Sequence, residues 1–132
     1  MNDAEFETQK ARILALIEKW HTPLGLQWWT VTHEYVRSFD EMPDGAHTIS
    51  LAIARVFWPY MEANIYWNLY NATDCDDAHL ERAFIHECLH ILVREMRDDA
   101  GGEKIDHEER VCATLAQVIL RLQAEGKPMT DG

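Results

Sequence analysis

Residues 84–92 read FIHECLHIL, two imidazoles and a carboxylate inside an otherwise apolar run. His86, Glu87 and His90 make the pattern H-E-x-x-H. Positions four apart on a helix lie on one face within about 6 Å of each other, so both imidazoles can hold one ion, and zinc accepts such ligands. Glu87 is rotated about 100° from His86, which sets it beside the ion, where it can take a proton from a water bound there. The flanking Ala83, Phe84, Ile85, Cys88, Leu89, Ile91 and Leu92 are uncharged, as expected of a buried helix bordering a dry cleft. The competing reading is a pair of core histidines satisfied by ordinary hydrogen bonds, and a third ligand raises the weight of the metal.

Catalytic zinc normally has three protein ligands and one open position. Downstream donors are Glu103, Asp106, His107, Glu108 and Glu109. Stepping about 100° per residue from Glu108 puts Val111, Cys112, Leu115, Ile119 and Leu122 within about 60° of it, along the apolar stripe of a final helix. A carboxylate in such a stripe needs a cation, so Glu108 is taken as the third ligand. Glu109 falls on the flank with Ala113, Ala116 and Leu120, and with Asp106 it makes D-x-x-E, a helix-capping arrangement. Glu109 stays open as an alternative ligand, as does His107, which lies off the stripe.

Elements must position these groups. Asp3 to His21 places Phe6, Ile13, Leu14, Leu16, Ile17 and Trp20 largely at helical spacing, and Pro23 and Gly25 stop the helix. Gln27 to Phe39 is aromatic and β-branched, a strand; Pro43-Asp44-Gly45 then predicts a hairpin turn into a second strand within residues 47–58. Both faces of that second strand are apolar, which suits a central position. Residues 62–70 alternate Ala63, Ile65, Trp67 and Leu69 against Asn64, Tyr66, Asn68 and Tyr70, a third strand with one buried face. Helices follow over roughly residues 77–97 and 106–123. The expected class is α+β: an N-terminal helix, a small three-stranded, mainly antiparallel sheet, the H-E-x-x-H helix, and a C-terminal helix carrying the third ligand.

The chain has 132 residues, 47% hydrophobic and 27% charged, enough for a single domain over 1–132. A formal charge of −11 argues against a nucleic-acid partner and an anionic membrane surface, and favours a basic or neutral target. Cys75, Cys88 and Cys112 form no CxxC pair, which fits a reducing cytoplasm; no signal-like or membrane-spanning run is expected. His33, His47 and His79 read as structural.

With these residues in place, the chain resembles a small zincin of the gluzincin type, in which a helix bearing H-E-x-x-H is followed by a second helix giving a glutamate ligand. The stretch HEERVCATLA after HECLHIL is similar to the ImmA/IrrE-type metallopeptidases and to minimal zincins of phages and prophages. The resemblance covers roughly residues 48–122, and its specific part is the histidine-glutamate motif. It implies a zinc metalloendopeptidase acting on a polypeptide laid along an edge strand, with Glu87 as general base and then as proton donor to the leaving amine. The alternative class is a non-catalytic zincin-like binding or phage-structural module with a structural metal. Such a site would have four protein ligands, and Cys112 is the cysteine positioned to join.

Overall fold

The computed structural model of the chain describes residues 1–94 and 102–126, with the backbone alone for 102–107. Helix α1 spans Asp3–Trp20; its first turn is capped by the Asn2 side chain, which accepts the Glu5 N–H at 2.8 Å. Three strands follow, β1 (Thr30–Val36), β2 (Ala52–Phe57) and β3 (Glu62–Asn68), then a short helix α2 (Leu69–Ala72), and helices α3 (Asp77–Val93) and α4 (Gly102–Ala124).

The sheet order is β1-β3-β2, with β1 parallel to β3 and β2 antiparallel to it. This α+β layout therefore has a mixed sheet, and the expected β1–β2 hairpin is absent. Pro43-Asp44-Gly45 does turn, with Gly45 at φ 96°, but inside a crossover that carries the chain past β3. Local turn chemistry cannot choose a strand's partner; side-chain burial does. Ala63, Ile65 and Trp67 of β3 are almost wholly buried, so β3 takes the centre, while β2, read as central from its apolar faces, lies at an edge. Ile49, inside the run 47–58 expected to hold the second strand, is 88% exposed and lies before the strand begins. The crossover is fastened at its end: the Asn71 amide donates to the Thr48 and Ser50 carbonyls, and the Asn68 N–H donates to the Leu51 carbonyl. A tight turn at Trp58-Pro59-Tyr60 closes the real hairpin between β2 and β3, with Met61 in the left-handed region at φ 52°.

Helix α3 is the element on which the rest converges. The Asp76 side chain caps it, accepting the His79 N–H at 2.7 Å. Arg12 of α1 pairs with Asp77 at 2.9 Å and donates to the Ala72 and Cys75 carbonyls, which fixes the approach to that cap. Trp20 donates its indole N–H to Glu81 at 2.8 Å. Leu80, Phe84, Ile85, Cys88, Leu89 and Ile91 form the buried side of α3, and each large apolar side chain so buried contributes roughly 1.5–3 kcal/mol. Phe84 stacks on Trp67 of β3 at 5.7 Å between ring centroids, with His33 of β1 stacked at 6.0 Å from Phe84. That stack sets the height of α3 above the sheet two residues before His86.

Helix α4 packs on α3 through Cys112 and Ala116, both fully buried. It begins at Gly102, so Asp106 sits one turn inside the helix and the expected D-x-x-E cap does not stand at a helix start. Val111, Leu115 and Leu122, most of the stripe used to orient Glu108, are exposed. The side chains of Glu103, Asp106 and His107, and residues Arg97, Asp98 and Asp99, lie outside the described residues.

Candidate metal centre

His86 and His90 stand one turn apart on α3, their rings in edge contact at 4.9 Å between centroids. Both Nε2 atoms meet the carboxylate of Glu109 on α4, His86 at 3.1 Å from Oε2 and His90 at 2.7 Å from Oε1. The other ring nitrogen of His90, Nδ1, meets Glu108 Oε1 at 2.7 Å and lies 3.7 Å from Cys112 Sγ. A carboxylate on each nitrogen favours the doubly protonated ring, which can donate to both. Burial opposes that charge, but hydrogen bonds to Cys112, Glu109 and Glu108 and the charge of Glu87 outweigh it, lifting the pKa to about 11.

Glu109 responds in the opposite direction. Its hydrogen bonds from His86 and His90 hold its carboxyl far below the usual carboxylate range. Glu87 lies beside the pair, and one ligand atom from each of His86, Glu87 and His90 falls within 4.8 Å of the others. Burial raises the Glu87 pKa to about 7, with Glu109 adding to the rise and the two histidines opposing it.

The two consecutive glutamates thus divide the imidazole between them. Glu108 is 7% exposed, and its Oε1 meets His90. The contact is at Nδ1, the far side of the ring from His86. Glu109, held open as the alternative, is the glutamate that meets the two Nε2 atoms, because α4 lies against α3 through Cys112 and Ala116 while Val111, Leu115 and Leu122 of the counted stripe face outward. Cys88 is buried in the core, and its thiol is pushed up by burial. His33 accepts the Trp67 indole N–H at Nδ1, and burial together with His21 lowers its pKa to about 4, so it is a neutral part of the aromatic stack.

A cleft of about 260 Å³ opens against this cluster, between the start of β2, the outer side of α3 and α4. Ala52, Ala83, His86, Glu87, Ala113 and Gln117 line it, with Arg82 and His79 at its end. Arg82 is not among the residues that the motif singles out. Its spacing of four residues before His86 was the signal that it shares that face.

No protein-family model, curated protein or solved structure matches the chain. Among the described residues, no helix is long and apolar enough to cross a membrane.

The donor set fits a zinc ion. The two Nε2 atoms each meet one oxygen of a single carboxylate, ligand atoms of His86, Glu87 and His90 lie within 4.8 Å of one another, and the remaining His90 nitrogen is engaged by a buried carboxylate, the support that metal-binding imidazoles usually have. Cys112, the cysteine considered for a four-ligand structural site, is on the Nδ1 side and so points away from that convergence.

Proposed function

We propose that the chain is a zinc-dependent peptidase of the zincin kind, with His86, His90 and Glu109 holding the ion and Glu87 moving the proton. The observation that carries this reading is the meeting of both Nε2 atoms on one carboxylate, with Glu87 alongside and a cleft in front. When bound, zinc supplies a Lewis acid for a peptide carbonyl and for water, whose pKa it brings toward ~7. Glu87, with its pKa near 7, is matched to accept a proton from the attacking water and hand it to the leaving amine. Glu108 holds the His90 ring by Nδ1 and so leaves Nε2 turned to Glu109.

The substrate's path follows from β2. The Leu51 carbonyl accepts from Asn68, so by antiparallel alternation Ala52, Ala54 and Val56 turn their N–H and C=O groups away from β3, along a free edge. Ala52 borders the cleft. We assign this edge to an extended polypeptide substrate paired through its backbone. Three free cysteines suit the cytoplasmic setting that we propose with it.

The test is metal analysis joined to cleavage of a broad peptide library. The expected result is one zinc per chain and chelator-sensitive hydrolysis. Glu87→Gln should keep the zinc and lose activity by about 10²–10⁴-fold, the range that a positioned general base supplies. Bound zinc without hydrolysis of any library member would instead favour the non-catalytic module.

A further inference from the structure

We propose that the cleft beside Glu87 is a binding pocket for a substrate carboxylate, selected by Arg82 and carried by an acidic side chain near the scissile bond or by the substrate's C-terminus. This rests on the peptidase reading above. His79, Arg82 and His86 share one face of α3, with Arg82 about 6 Å along the axis from His86. A chain lying across His86 and Glu87 therefore has a cation one turn away. Ala52, Ala83 and Ala113 wall the space with methyl groups only, and their small size leaves the 260 Å³ open.

Arg82 is unlike the other paired cations. Arg12, Lys19 and Arg37 each hold a carboxylate, at 2.9, 2.6 and 2.7 Å. Among the described residues no carboxylate pairs with Arg82; its guanidinium donates to His79 Nδ1 at 3.2 Å. In a chain of net charge −11, a guanidinium that faces a cleft and holds no carboxylate of the described residues is available to one from outside. Its planar donors match that group in geometry as well as charge. The acidic surface does not veto such a substrate, because charges beyond about 8 Å are screened at physiological salt and the contact inside the cleft decides.

Two measurements test this. In cleavage profiling with the zinc-loaded protein, sites with a nearby Asp or Glu, or with a free rather than amidated C-terminus, should be favoured about fivefold or more, the worth of one partly exposed ion pair. The two arms identify the source of the carboxylate. Arg82→Glu should invert the preference toward Lys and Arg, and Arg82→Lys should keep part of it; a profile unchanged by charge reversal overturns the proposal. The second measurement does not need turnover: titration of zinc-loaded Glu87→Gln protein with a Glu-containing peptide and its Gln counterpart. Tighter binding of the acidic peptide, lost in an added Arg82→Gln change, supports the pocket even if the wild-type chain cleaves nothing. Equal affinities overturn it even if the chain is a peptidase.

Discussion

The two sides of the His90 ring are built differently. On the Nδ1 side, Glu108 and Cys112 are buried and belong to the packing of α4 on α3. On the Nε2 side, Glu109 is 55% exposed in its side chain and shares its carboxylate between two imidazoles. Adjacent residues of one type thus do different work because a helix turns about 100° between them. The inner carboxylate fixes a ring in place, whereas the outer one sits where an ion can replace the protons that now bind it to the histidines. Burial alone does not say which glutamate meets the Nε2 pair: the more buried one contacts Nδ1, and the more exposed one contacts both Nε2 atoms.

Substituting each glutamate should separate the two sides of the ring most clearly. Replacement of Glu108 by Gln keeps an acceptor for His90 Nδ1 but loses its charge, and should weaken zinc about 10–100-fold, as removal of a supporting residue does. Glu109→Ala removes a ligand and should exceed that loss, leaving no zinc after dialysis against a mild chelator. Competition titrations with a zinc indicator measure both. The reverse order of effects would return the ligand role to Glu108.

The response to pH sharpens the comparison without mutation. His90 has its pKa raised from 6.5 to about 11, so in the metal-free protein the stability of its charged form is complete below pH 6.5 and is lost as pH rises toward 11. Glu87, raised from 4.5 to about 7, binds more protons folded than unfolded between those values, so stability also falls with rising pH there. Glu109, held low, acts the other way: its contribution is present above its unfolded value of 4.5 and fades only in acid. The metal-free melting temperature should therefore peak near about pH 5 and decline through pH 10. Zinc needs unprotonated imidazoles, so the stabilisation it adds should grow over the same interval. Melting curves with and without zinc should diverge as pH rises; parallel curves would mean that protons and metal do not compete for these nitrogens.

Much of this is legible in the order of residues. The motif and the helices around it follow from spacing, and so does the third strand, although the alternation read over residues 62–70 ends as a strand at Asn68, where Leu69 and Tyr70 enter a helix. Three things depend on packing over long sequence separations. β1 and β2 look like a hairpin because Pro43-Asp44-Gly45 is a good turn, yet the register is set by which strand buries Ile65 and Trp67. The start of α4 at Gly102 removes the capping role that spacing gives to Glu109. The angular count is drawn toward Val111, Leu115 and Leu122, apolar residues that this fold leaves exposed.

The smallest expected effect is also a discriminating one. Cys112 lies 3.7 Å from His90 Nδ1, buried on the same side of the ring as Glu108. If it were a fourth ligand of a structural site, Cys112→Ala would remove a thiolate and zinc would be lost. Placed where it is, it fills space and steadies the ring, and its truncation removes one sulfur from a buried site. Zinc affinity should then change less than the 10–100-fold set for Glu108, while the folded state loses about 1 kcal/mol through the small cavity. A denaturant melt reports the stability loss and an indicator titration the metal. Stability reduced with zinc retained keeps the inner side as scaffold; both lost together would place sulfur on the ion and make the centre structural.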